Sequence, residues 1–196
     1  MDIKSVCVYC GSSYNGDVTL KSAVEKLAQV FVEHNIRMVY GGGSVGVMGL
    51  LADAVLEKKG LVTGVIPQFL MDKEVGHHGI TEMIITSNMH QRKQKMADIS
   101  DAFIILPGGF GTLEEFFEVL TWLQLGLHTK PIGVLNVNGF YTHLFDQMDV
   151  MVRNGFLKPA NRELVFNETD PQTLIFKMSA FQAVNNDKWF TDRNLS

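Results

Sequence analysis

AFIILPGGFGTLEE, residues 102–115, joins five consecutive apolar residues to a glycine-rich turn and then to a helical pattern. An apolar run of this length is typical of a strand that is buried on both faces of a parallel sheet. Gly108, Gly109 and Gly111 leave bare backbone where the helix starts, and the amides and dipole of a helix start favour an anion. The segment therefore predicts a buried strand, an anion-accepting turn and a helix.

The same alternation recurs along the chain, because short apolar segments that end at glycine or proline alternate with stretches of helical periodicity. Strands are predicted at 5–9, 37–40, 61–66, 81–86, 102–106 and 131–137, and helices at 20–34, 47–59, 88–99, from the motif to 125, at 140–154 and from 171. This order predicts a single α/β domain over residues 1–196, Rossmann-like and doubly wound, with helices on both faces of a mostly parallel sheet. How the tail from about 181 to 196 packs is left open.

Composition and charge exclude several classes of function. The chain has 196 residues and a formal net charge of −4, which gives no basic footprint for nucleic acid or for an anionic membrane. No apolar run approaches the roughly 20 residues that a membrane helix needs. The first residues, MDIK, do not resemble a secretory leader. We therefore expect a cytoplasmic protein without nucleic-acid or membrane partners.

The cysteines and histidines predict no metal site. Cys7 and Cys10 have C-x-x-C spacing, but in a strand of period two they would face opposite sides, so we expect a buried, reduced pair. His77 and His78 are adjacent and belong to no HxxxH or HExxH pattern. We expect both histidines to be solvated.

A second glycine turn, GGGSVG at 41–46, fits the G-x-G-x-x-G pattern. It fails as a dinucleotide fingerprint, because it follows the second strand and no acidic residue follows about 20 residues later. Two interpretations stay open: a tight turn with close helix packing, or a turn next to a phosphate. We favour the second and predict phosphate-adjacent positions at Gly11, Ser12, Gly42, Gly43 and Ser44.

The acid in the opening motif also has two interpretations. Thr112 and Glu115 have the T-x-x-E spacing of a capping box, in which Glu115 would only cap its own helix. A phosphate beside an unneutralised carboxylate requires a nearby cation, and Arg92 and Lys93 begin a helix that opens on the same sheet edge. The alternative for these two residues is a solvated helix face. Glycine amides, arginine and acid together predict a sugar-phosphate site.

Several motifs, in this order and spacing, carry a resemblance to a known family: CGSS (10–13), GGGSVGVMG (41–49), MHQRK (89–93), PGGFGTLEE (107–115) and TWLQLG (121–126). Over about residues 3–165 the chain resembles the LONELY GUY (LOG) family, the cytokinin riboside 5′-monophosphate phosphoribohydrolases. Members have often been labelled lysine decarboxylases. The resemblance implies a homodimeric hydrolase without cofactor that releases free base and ribose 5-phosphate from a nucleoside 5′-monophosphate.

The resemblance also assigns roles to residues. It implies that Arg92 and Glu115 are catalytic. Its substrate-binding positions fall on Glu74, Met89, Lys93, Gly109, Phe110, Gly111, Thr112, Leu113, Glu114 and Thr121. Phe110 departs from the family pattern, because many members carry tyrosine at this position.

Two other functions stay open at this point. A nucleotide-binding or carrier module would retain its ligand and release no base. A lysine decarboxylase would need pyridoxal phosphate on a lysine such as Lys93 or Lys95, and no other residue supports that chemistry. We favour hydrolysis, in which a carboxylate stabilises the positive charge that develops on the ribosyl ring, and we assign this role to Glu115.

Overall fold

Strands and helices alternate through residues 2–73 and 76–182, the part of the chain that the computed structural model describes. The strands are β1 (Ser5–Tyr9), β2 (Arg37–Tyr40), β3 (Val62–Pro67), β4 (Glu82–Thr86), β5 (Ala102–Ile105), β6 (Ile132–Leu135) and β7 (Val165–Glu168). The helices are α1 (Val18–Glu33), α2 (Gly46–Glu57), α3 (Gln68–Met71), α4 (Met89–Asp98), α5 (Phe110–Gln124), α6 (Thr142–Arg153), α7 (Pro159–Arg162) and α8 (Pro171–Ser179), with a 3-10 turn at Val137–Gly139.

The described strands form one sheet in the order β4-β3-β2-β1-β5-β6-β7. Every neighbouring pair is parallel, which confirms the predicted α/β class. The chain winds outward from β1 in one direction through β4, then returns to pair β5 with the other side of β1. The strand order therefore reverses between β1 and β5, and ligands of such sheets bind at the carboxyl ends of the strands at this point.

Two hydrophobic clusters cover the two faces of the sheet. One contains Cys10 and packs the sheet against α1, α2 and α8. The other contains Cys7 and packs the sheet against α4, α5 and α6. Both cysteines are buried free thiols on opposite faces, as the period of two predicted.

Two predicted helix starts are confirmed by their caps. Asn88 accepts a hydrogen bond from the backbone N–H of Gln91 at 2.9 Å. Asp170, which is followed by Pro171 as the first helical residue, accepts one from the backbone N–H of Thr173 at 2.8 Å.

Strand β7 was not predicted, because it is a short edge strand in which Val165 alone is buried. Among the described helices, none has both the length and the apolarity needed to cross a membrane.

Candidate active site

The carboxyl ends of β1 and β5 lie in direct contact. The backbone N–H of Gly11 donates to the carbonyl of Pro107 at 3.1 Å. A Cβ on Gly11 would lie 3.2 Å from the Cα of Gly108, and a Cβ on Gly108 would lie 2.8 Å from the amide nitrogen of Gly11. Glycine at both positions therefore lets the two turns approach each other where the strand order reverses.

Helix α5 begins earlier than the capping-box interpretation requires. Its N-cap is Gly109, and no side chain caps it. The first intrahelical bond runs from the N–H of Leu113 to the carbonyl of Gly109, so the amides of residues 110–112 precede it. Thr112 is buried inside the first turn instead of capping it. The capping-box interpretation is wrong, because the side chain of Glu115 does not cap α5.

The glycines of the α5 start border open space. A Cβ added at Gly109 or Gly111 would meet no atom within 4 Å among the described residues. In contrast, a Cβ on Gly108 would lie 2.1 Å from the hydroxyl of Thr112. Gly108 is therefore required for packing, whereas Gly109 and Gly111 leave the amides at the α5 start accessible to a ligand.

Arg92 is buried and fixed by backbone carbonyls. Its Nε donates to the carbonyl of Val65 at 3.1 Å, and its Nη2 donates to that of Gly41 at 3.3 Å. A Cβ on Gly41 would lie only 1.8 Å from Nη2. Sequence reasoning missed this role of Gly41, although the extra glycine in the 41–43 run was a signal.

The carboxylate of Glu115 faces the guanidinium of Arg92. Their closest atoms, Oε1 and Nη1, are 3.8 Å apart, and the Glu115 side chain is 12% exposed. Burial raises the pKa of Glu115 to about 7, opposed by the positive charge of Arg92 and reinforced by the negative charge of Glu114. A carboxyl group with such a pKa can exchange its proton near neutral pH, which suits acid–base catalysis.

Lys93 follows Arg92 on α4 and also faces α5. It is 8% exposed; its ammonium donates to Glu118 at 2.9 Å and to Glu114. Desolvation acts to lower the pKa of Lys93, but the hydrogen bonds that its ammonium donates to Glu114 and Glu118 outweigh this effect, so the pKa is raised. The solvated-face alternative is therefore wrong for Arg92 and Lys93, whereas Lys95 on the same helix is exposed.

A cavity of about 360 Å³ adjoins the start of α5. Its lining residues are Gly108, Gly109, Phe110, Leu113, Phe140, Tyr141 and Leu144. Tyr141 is held in place because its hydroxyl donates to the carbonyl of Leu106 at 2.9 Å. Phe140 and Tyr141 were missed from the sequence, because their segment is distant in the chain and carries no charged group. The cavity is within the size range of small-molecule sites.

The turn at 41–46 packs against the loop that follows β1. The N–H groups of Val47 and Met48, at the start of α2, both donate to the carbonyl of Gly11, at 3.0 and 3.3 Å. Gly46 has φ +65°, and a Cβ there would lie 2.2 Å from a backbone carbon of Ser12. These contacts give the turn the close-packing role that the sequence left open. The phosphate-adjacent role of Gly11, Ser12, Gly42, Gly43 and Ser44 stays a prediction.

Comparison with known proteins identifies the family. A family model described as "Possible lysine decarboxylase" matches residues 48–178. The cytokinin riboside 5′-monophosphate phosphoribohydrolase LOG5 of Arabidopsis thaliana is 46% identical over 183 residues, covering 93% of this chain and 80% of that protein. LOG1 of the same plant is 46% identical over 178 residues, covering 91% of this chain and 84% of that protein. This chain belongs to the LOG family.

Solved structures resemble this LOG-family chain at lower identity. The molybdenum cofactor binding protein from Rippkaea orientalis has a TM-score of 0.65 at 20% identity and covers 90% of this chain and 95% of its own. The Moco carrier protein from Chlamydomonas reinhardtii has a TM-score of 0.66 at 19% identity and covers 90% of this chain and 95% of its own. At these identities the likeness shows a shared fold alone.

The structure brings most of the predicted site together in this LOG-family chain. Met89 lies beside Arg92, with its sulfur 3.8 Å from Nη1. Phe110 is 93% exposed at the rim of the cavity. Thr121 is exposed and lies about 16 Å along α5 from Phe110, from the helix rise per residue. Glu74 lies outside the described residues.

The two adjacent histidines differ from each other. His78 is exposed as expected. The expectation for His77 is wrong, because its side chain is 13% exposed and its Nε2 lies 2.9 Å from Asp53 Oδ1. The backbone N–H of His77 donates to the carbonyl of Gly42 at 2.8 Å. His77 thus joins its loop to the glycine turn and to α2, and within the described residues no three metal-ligating side chains converge.

Proposed function

We propose that this LOG-family protein hydrolyses the N-glycosidic bond of nucleoside 5′-monophosphates and releases free base and ribose 5-phosphate. The observation that carries the proposal is the buried Glu115 carboxyl, with a pKa of about 7, facing Arg92 beside the open amides of α5. The names of the relatives indicate the substrate class, because LOG5 and LOG1 are cytokinin riboside 5′-monophosphate phosphoribohydrolases.

The 5′-phosphate would bind at the start of α5. The amides of residues 110–112 precede the first intrahelical hydrogen bond, and helix starts of this kind bind phosphate through amides and dipole. Gly109 and Gly111 leave the space next to these amides open. The adjoining cavity of about 360 Å³ supplies room for a further part of the nucleotide.

Glu115 would act on the sugar. Cleavage of a ribosyl bond proceeds through a transition state with positive charge on the ring, and a nearby carboxylate stabilises that charge. The same carboxylate can orient or deprotonate the attacking water, because its pKa of about 7 is close to neutral pH.

Arg92 would clamp the phosphate or assist departure of the base. Its Nε and Nη2 are directed at backbone carbonyls, while its Nη1 lies nearest Glu115, at 3.8 Å. A fixed guanidinium loses little rotamer freedom when it binds an anion. Its positive charge also offsets the effect of burial on the pKa of Glu115.

The decarboxylase interpretation has little support from the site. A lysine that forms a Schiff base must be able to lose its proton. The pKa of Lys93 is instead raised, because the hydrogen bonds that it donates to Glu114 and Glu118 outweigh desolvation. Lys95, the other candidate, is exposed on the outer face of α4.

The proposal is tested by incubating the protein with AMP and with N6-isopentenyl-AMP and quantifying the free base. We expect release of base by the wild type and a loss of roughly 100-fold or more in Glu115→Gln and Arg92→Ala. Asp98→Asn removes an exposed carboxylate of α4 and should retain wild-type turnover. Near wild-type turnover in Glu115→Gln would refute the assignment, and a nucleotide retained without release of base would indicate a carrier module.

We also propose that the enzyme is a cytoplasmic homodimer. Phe110, Phe140 and Phe156 are 93%, 55% and 88% exposed, and exposed aromatic groups of this size are common at subunit interfaces. Thr121, which the resemblance assigns to the substrate, lies far from the α5 start of its own chain. A second copy that packs on α5 would bring another Thr121 closer. A molar mass of one chain, measured in solution by light scattering, would contradict the dimer.

A further inference from the structure

Two consecutive residues of α4 bridge to α5 in different ways. Arg92 faces Glu115 across a distance of 3.8 Å. Lys93 makes closer contacts, with its ammonium in ion pairs with Glu118 at 2.9 Å and with Glu114. The closest polar links between the helices therefore lie directly beside the pair that we propose to be catalytic.

We propose that Lys93 is a positioning residue that fixes α4 to α5 through Glu114 and Glu118 and so sets the separation of Arg92 and Glu115. This proposal assigns Lys93 no contact with the substrate phosphate. It rests on the proposed function wherever turnover is the readout. It goes beyond the role that the family resemblance gives Lys93, which is substrate binding.

The packing of the two helices gives Lys93 this importance. Helix α4 packs against β3 and β4, whereas α5 packs against β1. Strand β2 separates β1 from β3 in the sheet, so the two helices rest on different strands. Met96 and Ala97 of α4 share one apolar cluster with Phe116 of α5, and the ion pairs of Lys93 add the polar link that fixes the separation of the two helices.

The charges around Glu115 lead to the same assignment. The charged neighbours of Glu115 are Arg92 and Lys93 on α4 and Glu114 and Glu118 on α5. The titratable groups that face it from the β1 region are neutral, namely Cys7, Tyr9 and Cys10. Two cations thus face three carboxylates. Without Lys93, Arg92 alone would face all three, and the carboxyl group of Glu115 would hold its proton more tightly. A phosphate would have to compete with Glu114 and Glu118 for the Lys93 ammonium.

The test compares four variants with the wild type. Lys93→Met removes the charge and keeps most of the side-chain volume, and Lys93→Arg keeps both ion pairs. Glu118→Gln removes one negative charge near Glu115. Lys95→Met is the matched control, because Lys95 is an exposed lysine on the same helix. Thermal melting verifies that each variant is folded.

Steady-state kinetics with AMP across pH should separate a positioning role from phosphate binding. For Lys93→Met we expect kcat to fall roughly tenfold or more with KM within about threefold, because misplaced reacting groups lower the rate. The acidic limb of the pH–rate profile, where Glu115 takes up its proton, should move to higher pH in Lys93→Met. The same limb should move to lower pH in Glu118→Gln. Lys93→Arg should restore most of kcat, and Lys95→Met should match the wild type.

A rise in KM for AMP at unchanged kcat and unchanged limb would overturn the proposal, because Lys93 would then bind the phosphate. The proposal would also be overturned if the acidic limbs of Lys93→Met and Glu118→Gln did not move in opposite directions. A 13C NMR titration of Glu115, assigned by its absence in Glu115→Gln, follows the same shifts without turnover. If the wild type released no base, the proposed function would fail, while the titration would still show whether the charge of Lys93 acts on Glu115.

Discussion

Replacement of Gly41 by alanine should disable the enzyme while leaving its fold intact. A Cβ at this position would lie 1.8 Å from Nη2 of Arg92 and 3.0 Å from its Cζ. The other neighbour, Nε, is 3.6 Å away and in ordinary contact. The guanidinium at the end of a flexible side chain therefore has to move, rather than the backbone of β2.

The size of the effect follows from this geometry. Carbon and nitrogen atoms in contact lie about 3.5 Å apart, so Nη2 must retreat by well over 1 Å. Misplacement of a catalytic group by 1 Å costs about 100-fold in rate, or about 2.7 kcal/mol in the activation free energy. The hydrogen bond from Nη2 to the Gly41 carbonyl, now 3.3 Å long, would also be lost.

Release of adenine from AMP and thermal unfolding together test this prediction. We expect kcat of Gly41→Ala to fall about 100-fold, with the free energy of unfolding lowered by about 3 kcal/mol or less. The double variant Gly41→Ala/Arg92→Ala should be no worse than Arg92→Ala alone, because both changes act on one guanidinium. Additive losses in the double variant would refute the reasoning, as would wild-type kcat in Gly41→Ala.

Three further predictions concern pH and packing. The kcat/KM of the wild type should fall as pH drops below about 7, because Glu115, with a pKa of about 7 in the free protein, must be ionised to act; a flat profile down to pH 5.5 would contradict this. Burial lowers the pKa of His128 to about 4, below its ordinary value of about 6.5 in the unfolded chain. The neutral, buried His128 therefore contributes to stability above about pH 6.5, and this contribution is lost as the pH falls towards 4. Melting of His128→Gln should therefore show a smaller loss of stability between pH 7 and 5 than the wild type. Gly46→Ala should lower stability by about 2 kcal/mol or more, because φ is +65° and the Cβ would lie 2.2 Å from backbone; an unchanged melting temperature would count against the packing described for this turn.

Much of the fold followed from local sequence, because buried parallel strands are apolar throughout. Residues 102–106 show this pattern, and their strand, β5, lies inside the sheet between β1 and β6. Strand β7 escaped prediction because its sequence VFNE is half polar and only one face is covered. The start of α5 was left open within the motif, since a T-x-x-E pattern fits both a cap and the interior of a first turn. Gly109 decides between them, and its conformation is visible only in the structure.

The site was predictable where topology alone brings residues together. In a parallel sheet the start of α4 and the end of β5 open on the same edge, so the approach of Arg92 to Glu115 could be expected. The contact between Gly41 and Arg92 could not, because it depends on the path of a long side chain across β3. The burial of His77 depends in the same way on its pairing with Asp53 on a different element.

The most direct test of the central claim is the identity of the products formed from AMP by the wild-type protein. We expect free adenine and ribose 5-phosphate in equal amounts, because the bond between base and sugar is the one broken. Recovery of intact AMP from a stable complex would contradict the claim and indicate a binding module. Release of adenosine and inorganic phosphate would contradict it equally, because the bond broken would then be that to the phosphate.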